Sequence, residues 1–210
     1  MRGDFLPAVT LPRRMWAASD ITFVRPLCLG SAITRRSIIA SATEKHGRSG
    51  RLAFVEVDHH LSDAQGELLR ERQTIVYREA ADPAAPAPVL APSSKQWSRR
   101  IDPDTVLLFR YSALTFNSHR IHYDLPYATG VEGYPGLVVH GPLIATLLLH
   151  EMVARHPGLT ITGFRFRAVQ PLFDTAPFHI GGTLEANGTA RLFAMTEGGA
   201  LCMDATATFA

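Results

Sequence analysis

The chain has 210 residues, 46% hydrophobic and 19% charged, with a formal net charge of +2. That balance excludes a disordered chain, and the scattered arginines argue against a nucleic-acid partner. The longest apolar run, Leu143 to Leu149, is too short to cross a bilayer, and the start MRGDFLPAVT lacks the apolar core of a signal peptide, so no membrane partner and a cytoplasmic location are expected. Cys28 and Cys202 both sit in apolar runs and are expected as buried free thiols.

In chain order, SDITFVRPL, SAITRRSIIASATEKH, RLAFVEVDHHLSD and LLRERQTIVYREA read as strands punctuated by Gly47, Gly50 and Gly66. His59 and His60 fall in the third run and are expected at solvent or at an interface. A Pro/Ala-rich stretch follows, with Pro83, Pro86, Pro88 and Pro92, which cannot sustain a helix or central strand. It divides the chain into an N-terminal unit, residues 1–80, a linker, residues 81–100, and a C-terminal unit, residues 101–210.

The two halves echo one another. Pro26-Leu27 and RLAF at 51–54 in the first correspond to Pro171-Leu172 and RLFA at 191–194 in the second, in the same order. In the second half TVLLFRYSALTF reads as a strand followed by a helical turn, and TITGFRFRAVQPL, APFHIGGTLEAN and RLFAMTEGGALCMDATATF are three more strand-like runs. Phe164 and Phe166 should face one way and Arg165 and Arg167 the other.

Between them lies GLVVHGPLIATLLLHEM, apolar nearly all round, which predicts a helix buried on every side. Pro142 suits its first turn, and His-Pro-Gly at 156–158 ends it. Gly141 stands at its entrance, where a glycine lets a ligand approach the backbone. The first N–H groups of a helix lack internal partners and carry partial positive charge, so they can stabilise a carbonyl oxygen gaining negative charge.

The stretch TFNSHRIHYD, Thr115 to Asp124, precedes that helix. His119 and His122 are three apart, a spacing compatible with metal, yet no further ligands complete a recognisable site. An acid–base reading fits better. A neutral imidazole at His122 can take a proton from water, and the Asn117 amide can hold that water by a hydrogen bond.

Residues 111–149 resemble the hydratase motif of MaoC-like hydratases and dehydratases, through Ile121-His122 and His140-Gly141. The family's catalytic aspartate falls on Asn117, and its Asn-Pro on His119-Arg120. A subgroup shares that departure. YSALTFNSHRIHYD with GYPGLVVHGPL is similar to the type 2 hydroxyacyl-thioester dehydratases and mesaconyl-C4-CoA hydratases, as is the first half through PRRMWAASDITFVRPLCLGSAITRRSIIA and GRLAFVEVDHHLSDAQGELLRERQTIVYRE.

The resemblance implies an α+β double hot-dog, two tandem units of curved antiparallel sheet. The C-terminal unit would wrap around a buried helix, and the N-terminal unit, which begins late, would lack its helix or hold it truncated. It implies a hydro-lyase that reversibly hydrates an enoyl thioester of CoA. Asn117, His122 and Gly141 would be catalytic, with His119, Arg120, Val139 and His140 against the substrate. No cofactor and no metal are expected, and the assembly would be a dimer of double hot-dogs. Of the substrates the subgroup handles, mesaconyl-C4-CoA is favoured over a 3-hydroxyacyl thioester of fatty acid metabolism. Arg120 would serve CoA phosphate, a substrate carboxylate or a salt bridge. An acyl-CoA thioesterase and a non-catalytic acyl-CoA-binding subunit are the rival classes.

Overall fold

The computed structural model describes residues 5–47, 50–79 and 87–210. Two compact units are present, and each is interleaved in sequence. The first comprises Met1–Ala87, Thr160–Arg167 and Thr208–Ala210, and the second Pro88–Leu159 and Ala168–Ala207.

In the first unit, β1 (Arg13–Phe23), β2 (Thr34–Gly47), β3 (Gly50–Asp63) and β4 (Gly66–Arg78) are long antiparallel strands. β2 pairs with β3, β3 with β4 and β4 with β1. β1 also pairs with β6 (Ile161–Ala168), Ser19 standing opposite Phe166. β-Branched and aromatic residues at alternate positions direct one face inward. Ala53, Val55, Val57, Ile75 and Tyr77 form that core, and Leu11, with Leu6 and Val9, packs on it. Among the described residues this unit has no helix. On β6, Phe164 and Phe166 are buried and Arg165 and Arg167 exposed, as the alternation predicts.

Three expectations are corrected here. His59 is not at the surface. Its position on β3 continues the inward series Ala53, Val55, Val57, so it is 4% exposed and bonded to Ser37 Oγ at 2.8 Å and Gln73 Oε1 at 3.2 Å. Its neighbour His60 points the other way and meets Glu67 at 3.1 Å. Cys28 is exposed, because β1 has already ended at Phe23; Cys202 is buried on a strand, and both are free thiols. The expected linker ends early. Residues 80–86 lie outside the described residues, but Leu201 N–H donates to Val89 O and Ala91 N–H to Gly199 O, and Trp97–Ile101 is a strand, β5.

The second unit holds β5, β7 (Phe178–Glu185), β8 (Thr189–Thr196) and β9 (Leu201–Phe209) in the order β9-β8-β7-β5. RLAF opens β3 and RLFA lies in β8, each on the middle strand of a three-strand meander, β2-β3-β4 and β7-β8-β9. Helices α1 (Thr105–Leu114), α2 (Leu125–Gly130) and α3 (Gly141–Arg155) complete it. The run expected as a strand before a helical turn is helical from Thr105, because Asp104 caps it and Leu108 and Ser112, four apart, are its buried side. α3 packs on β7 and β8. It buries Leu143, Ile144, Ala145, Leu148, Glu151 and Met152, while Thr146 and His150 are exposed. The expectation of burial on every side is therefore corrected: a helix laid on one sheet face hides the stripe facing it and leaves polar positions outside. No helix among the described residues is long and apolar enough to cross a membrane.

Candidate active site

The site is carried by α1, the segment leading into α2, and the start of α3, all within the second unit, and side chains cap α1 and α2. Asp104 caps α1 by accepting from Leu107 N–H at 2.7 Å. After α1 the chain turns back through Phe116, at φ +52°, and Asn117 N–H donates to Ser112 O at 2.9 Å. A left-handed backbone at a bulky residue is costly and persists only where neighbouring bonds enforce it. Asn117 Oδ1 then accepts from His119 N–H at 3.1 Å. That bond fixes the amide's orientation, because only the oxygen can accept; Nδ2 is left as the donor end. Arg120–His122 forms a 3-10 turn, and Asp124 caps α2 by accepting from Tyr127 N–H at 3.1 Å.

His122 is fixed by a reciprocal lock. Val138 N–H donates to Ile121 O at 2.9 Å, and His122 Nδ1 donates to Val138 O at 2.7 Å. A carbonyl only accepts, so the proton of the neutral ring sits on Nδ1 and the lone pair on Nε2. The ring is 7% exposed. Burial pulls its pKa down to about 4; the Val138 bond opposes that shift and the nearby His119 adds to it. At neutral pH the group is therefore an unprotonated base held in a dry setting.

The His122 ring stacks on His140, centroids 3.7 Å apart and planes 17° apart. His119 stands edge-on to His122 at 5.6 Å. His140 is fully buried, with Nε2 2.8 Å from Ser112 Oγ and Tyr111 edge-on at 4.9 Å. Burial, then the neighbouring His122 and His119, bring its pKa down to about 3. His140 is also the residue before α3, and its carbonyl accepts from Ile144 N–H at 3.1 Å. Gly141 follows as the first helical residue, its N–H being one of those that have no partner inside the helix. Parallel stacked rings do not aim their nitrogens at a common ion, and among the described residues no group of three His, Cys, Asp or Glu side chains is placed to hold one.

The expected residues thus divide. His122, His140 and Gly141 come together, with His119 beside them and Asn117 tied to His119. Arg120 and Val139 flank this group in the chain, and their own contacts run elsewhere. The Arg120 guanidinium donates twice to Asp124 Oδ2, at 2.9 and 2.7 Å, and lies over the Tyr127 ring at 4.2 Å. The same bond, with the Tyr127 amide, holds the Asp124 carboxyl below its usual range. Val139 is 3% exposed, and its N–H donates to Leu172 O at 2.8 Å. Sequence reasoning gave no role to Tyr111, Ser112 or the Val138 carbonyl. The first two lie inside the motif, but one sequence carries no sign of what they touch, and a backbone carbonyl leaves no signature.

A buried imidazole beside a helix entrance, on a helix-bearing antiparallel sheet, is what this unit presents. The chain has the MaoC-like hot-dog fold: it matches the crystal structure of a MaoC-like dehydratase from Phytophthora capsici with a TM-score of 0.77, at 17% identity, over 99% of this chain and 74% of that one. It belongs to the hydroxyacyl-thioester dehydratase type 2 family, whose profile matches residues 2–174. It is 51% identical over 181 residues to the mesaconyl-C(4)-CoA hydratase of Chloroflexus aurantiacus, covering 85% of this chain and 64% of the relative. It is 35% identical over 191 residues to the mitochondrial hydroxyacyl-thioester dehydratase type 2 of Schizosaccharomyces pombe, covering 80% of this chain and 64% of that protein. The chain thus spans less than two thirds of the length of these relatives.

Proposed function

We propose that this chain is a hydro-lyase that adds water reversibly across the double bond of an enoyl-CoA thioester, with mesaconyl-C4-CoA as its substrate. The observation that carries the reading is the His122 imidazole. Its Nδ1–H is committed to Val138 O, its Nε2 lone pair is free to act as a base, and it is stacked on the residue that leads into Gly141. The 51% identity to a mesaconyl-C(4)-CoA hydratase supports the choice of substrate.

In the forward direction, Nε2 takes a proton from water as the oxygen bonds to the β-carbon. The π electrons move onto the thioester oxygen, where the Gly141 N–H at the start of α3 receives the negative charge; one such donor is worth about 10²–10³ in rate. Asn117 Nδ2 donates to the attacking oxygen and orients it. The enolate then collapses, and the imidazolium returns its proton to the α-carbon. Water has been added whole, and His122 is neutral again. With asparagine at position 117 and Asp124 held by Arg120 and the Tyr127 amide, one base serves both proton transfers. Arg120 on Asp124 supports the salt-bridge reading of that arginine over a carboxylate contact. The matching positions of RLAF and RLFA on β3 and β8 support a tandem double hot-dog, and we read the assembly as a dimer of such chains.

The test mixes purified protein with mesaconyl-C4-CoA or crotonyl-CoA and follows absorbance of the conjugated thioester alongside free thiol. Loss of absorbance without thiol release is expected, and His122→Ala should abolish it. Thiol release would mark a thioesterase, and no change would mark a binding subunit; either result rejects the reading. Arg120→Ala should slow both substrates equally, whereas selective loss on the dicarboxylate would assign Arg120 to substrate.

A further inference from the structure

His140 has more attachments than a residue that merely begins a helix. Its ring is fully buried between His122 on one side and the edge of Tyr111. Nε2 is tied to Ser112 Oγ, and Nδ1 is buried with no hydrogen-bond partner. A buried polar atom without a partner costs on the order of 1–3 kcal/mol, so apolar packing alone would favour a different side chain at this position. Its backbone is equally committed. The carbonyl turns into α3 to accept from Ile144. In a trans peptide the N–H points opposite to the C=O, so the Gly141 amide is aimed out of the helix entrance.

We propose that His140, braced by Ser112, is the positioning residue that fixes both working parts of the site, and that its flat, neutral ring is the dry platform on which His122 gains and returns its proton. The proposal rests on the functional reading above. Rotation of the His140 side chain would release the His122 ring and expose its face to water. The titratable groups that face the pair are His119 from the loop before the 3-10 turn and Tyr111 from α1. On α3 the first acid is Glu151, which is engaged by Arg99 and Arg155.

Two variants separate the ring from its hydrogen bond. His140→Gln can still reach Ser112 but presents no flat face; His140→Phe keeps the face and gives up the bond. In the glutamine variant kcat should fall about 100-fold with KM nearly constant, and the acidic limb of kcat/KM should rise by about one pH unit as water reaches His122. In the phenylalanine variant kcat should return only in part, since the face stays but the Ser112 brace is lost, and the limb should stay low. Ring-proton NMR titration of His122 without substrate should show the same two results and does not depend on turnover. A glutamine variant with the unaltered titration, or a phenylalanine variant with a raised one, overturns the proposal, so either variant decides alone if the other does not fold. Lack of hydratase activity in the unaltered protein would instead reject the functional reading, and the NMR titration would still decide whether the two rings are coupled.

Discussion

Placing His122 in a dry stack makes its charge state a property of folding as well as of catalysis. An unfolded chain titrates this imidazole near its ordinary value of 6.5, whereas the folded protein holds it at about 4. Between those values the unfolded state carries a proton that the native ring lacks. The unfolded state binds more protons there, so native stability rises with pH across this window and is lost as pH falls through it. Taking the pH from 6.5 to 4.5 should cost about 2 kcal/mol through His122 alone, at 1.36 kcal/mol for each full pH unit of unmatched proton. The assay is urea unfolding at both pH values for the unaltered protein and for His122→Gln. The unaltered protein should lose about 2 kcal/mol more than the variant. His140 is depressed by burial in both proteins, and the smaller part of its shift that comes from His122 is lost with the variant, so the difference reads His122 together with its effect on His140. Activity gives a parallel reading. The base works unprotonated, so kcat/KM should hold level from neutral pH down to about pH 5. Equal pH dependence in the two proteins, or an acidic limb centred near 6.5, would show that water reaches this ring and would refute the argument.

Asn117→Ala should lower kcat by about 10- to 100-fold in steady-state hydration, through loss of the water-orienting donor. Asn117→Asp should retain activity and raise the acidic limb, because a carboxylate added to the loop that leads into His122 favours the protonated ring. Glu151 joins Arg99 at 2.7 Å and Arg155 at 2.8 Å and is itself buried. Both arginines are near half exposed, so Glu151→Ala should cost about 1–2 kcal/mol in urea unfolding rather than the larger figure for a fully buried pair. At Gly182, a β-carbon would meet Leu192 Cδ2 at 2.5 Å and Trp97 Cζ2 at 2.6 Å, so Gly182→Ala should lower stability by about 1–3 kcal/mol, read from the shift in thermal midpoint.

Residues with chemistry of their own were readable from the chain. Gly141 at a helix entrance followed from Pro142 in the first turn and the rule that helix starts carry unpaired N–H groups; Asn117 and His122 were picked out as acid–base candidates from side-chain chemistry together with the family resemblance. The strand pattern of β1–β4 and β6–β9 followed from period-two alternation, and the inward and outward faces of β6 were read without error. His59 was missed although the same alternation covers it: residue type suggested a surface position, and register decided otherwise. β5 was hidden by the prolines before it, because its strand character comes from pairing with β7 rather than from local preference.

The order of residues is enough to list the polar and titratable groups and the periodicities that make sheet and helix, since both are local properties of the chain. How those groups meet is set by the fold. The Val138 carbonyl selects the His122 tautomer, Ser112 braces His140, and Asp124 occupies Arg120. Each of these contacts joins residues brought together by the path of the backbone, and the low charge affinity of His122 is a consequence of the burial that path creates.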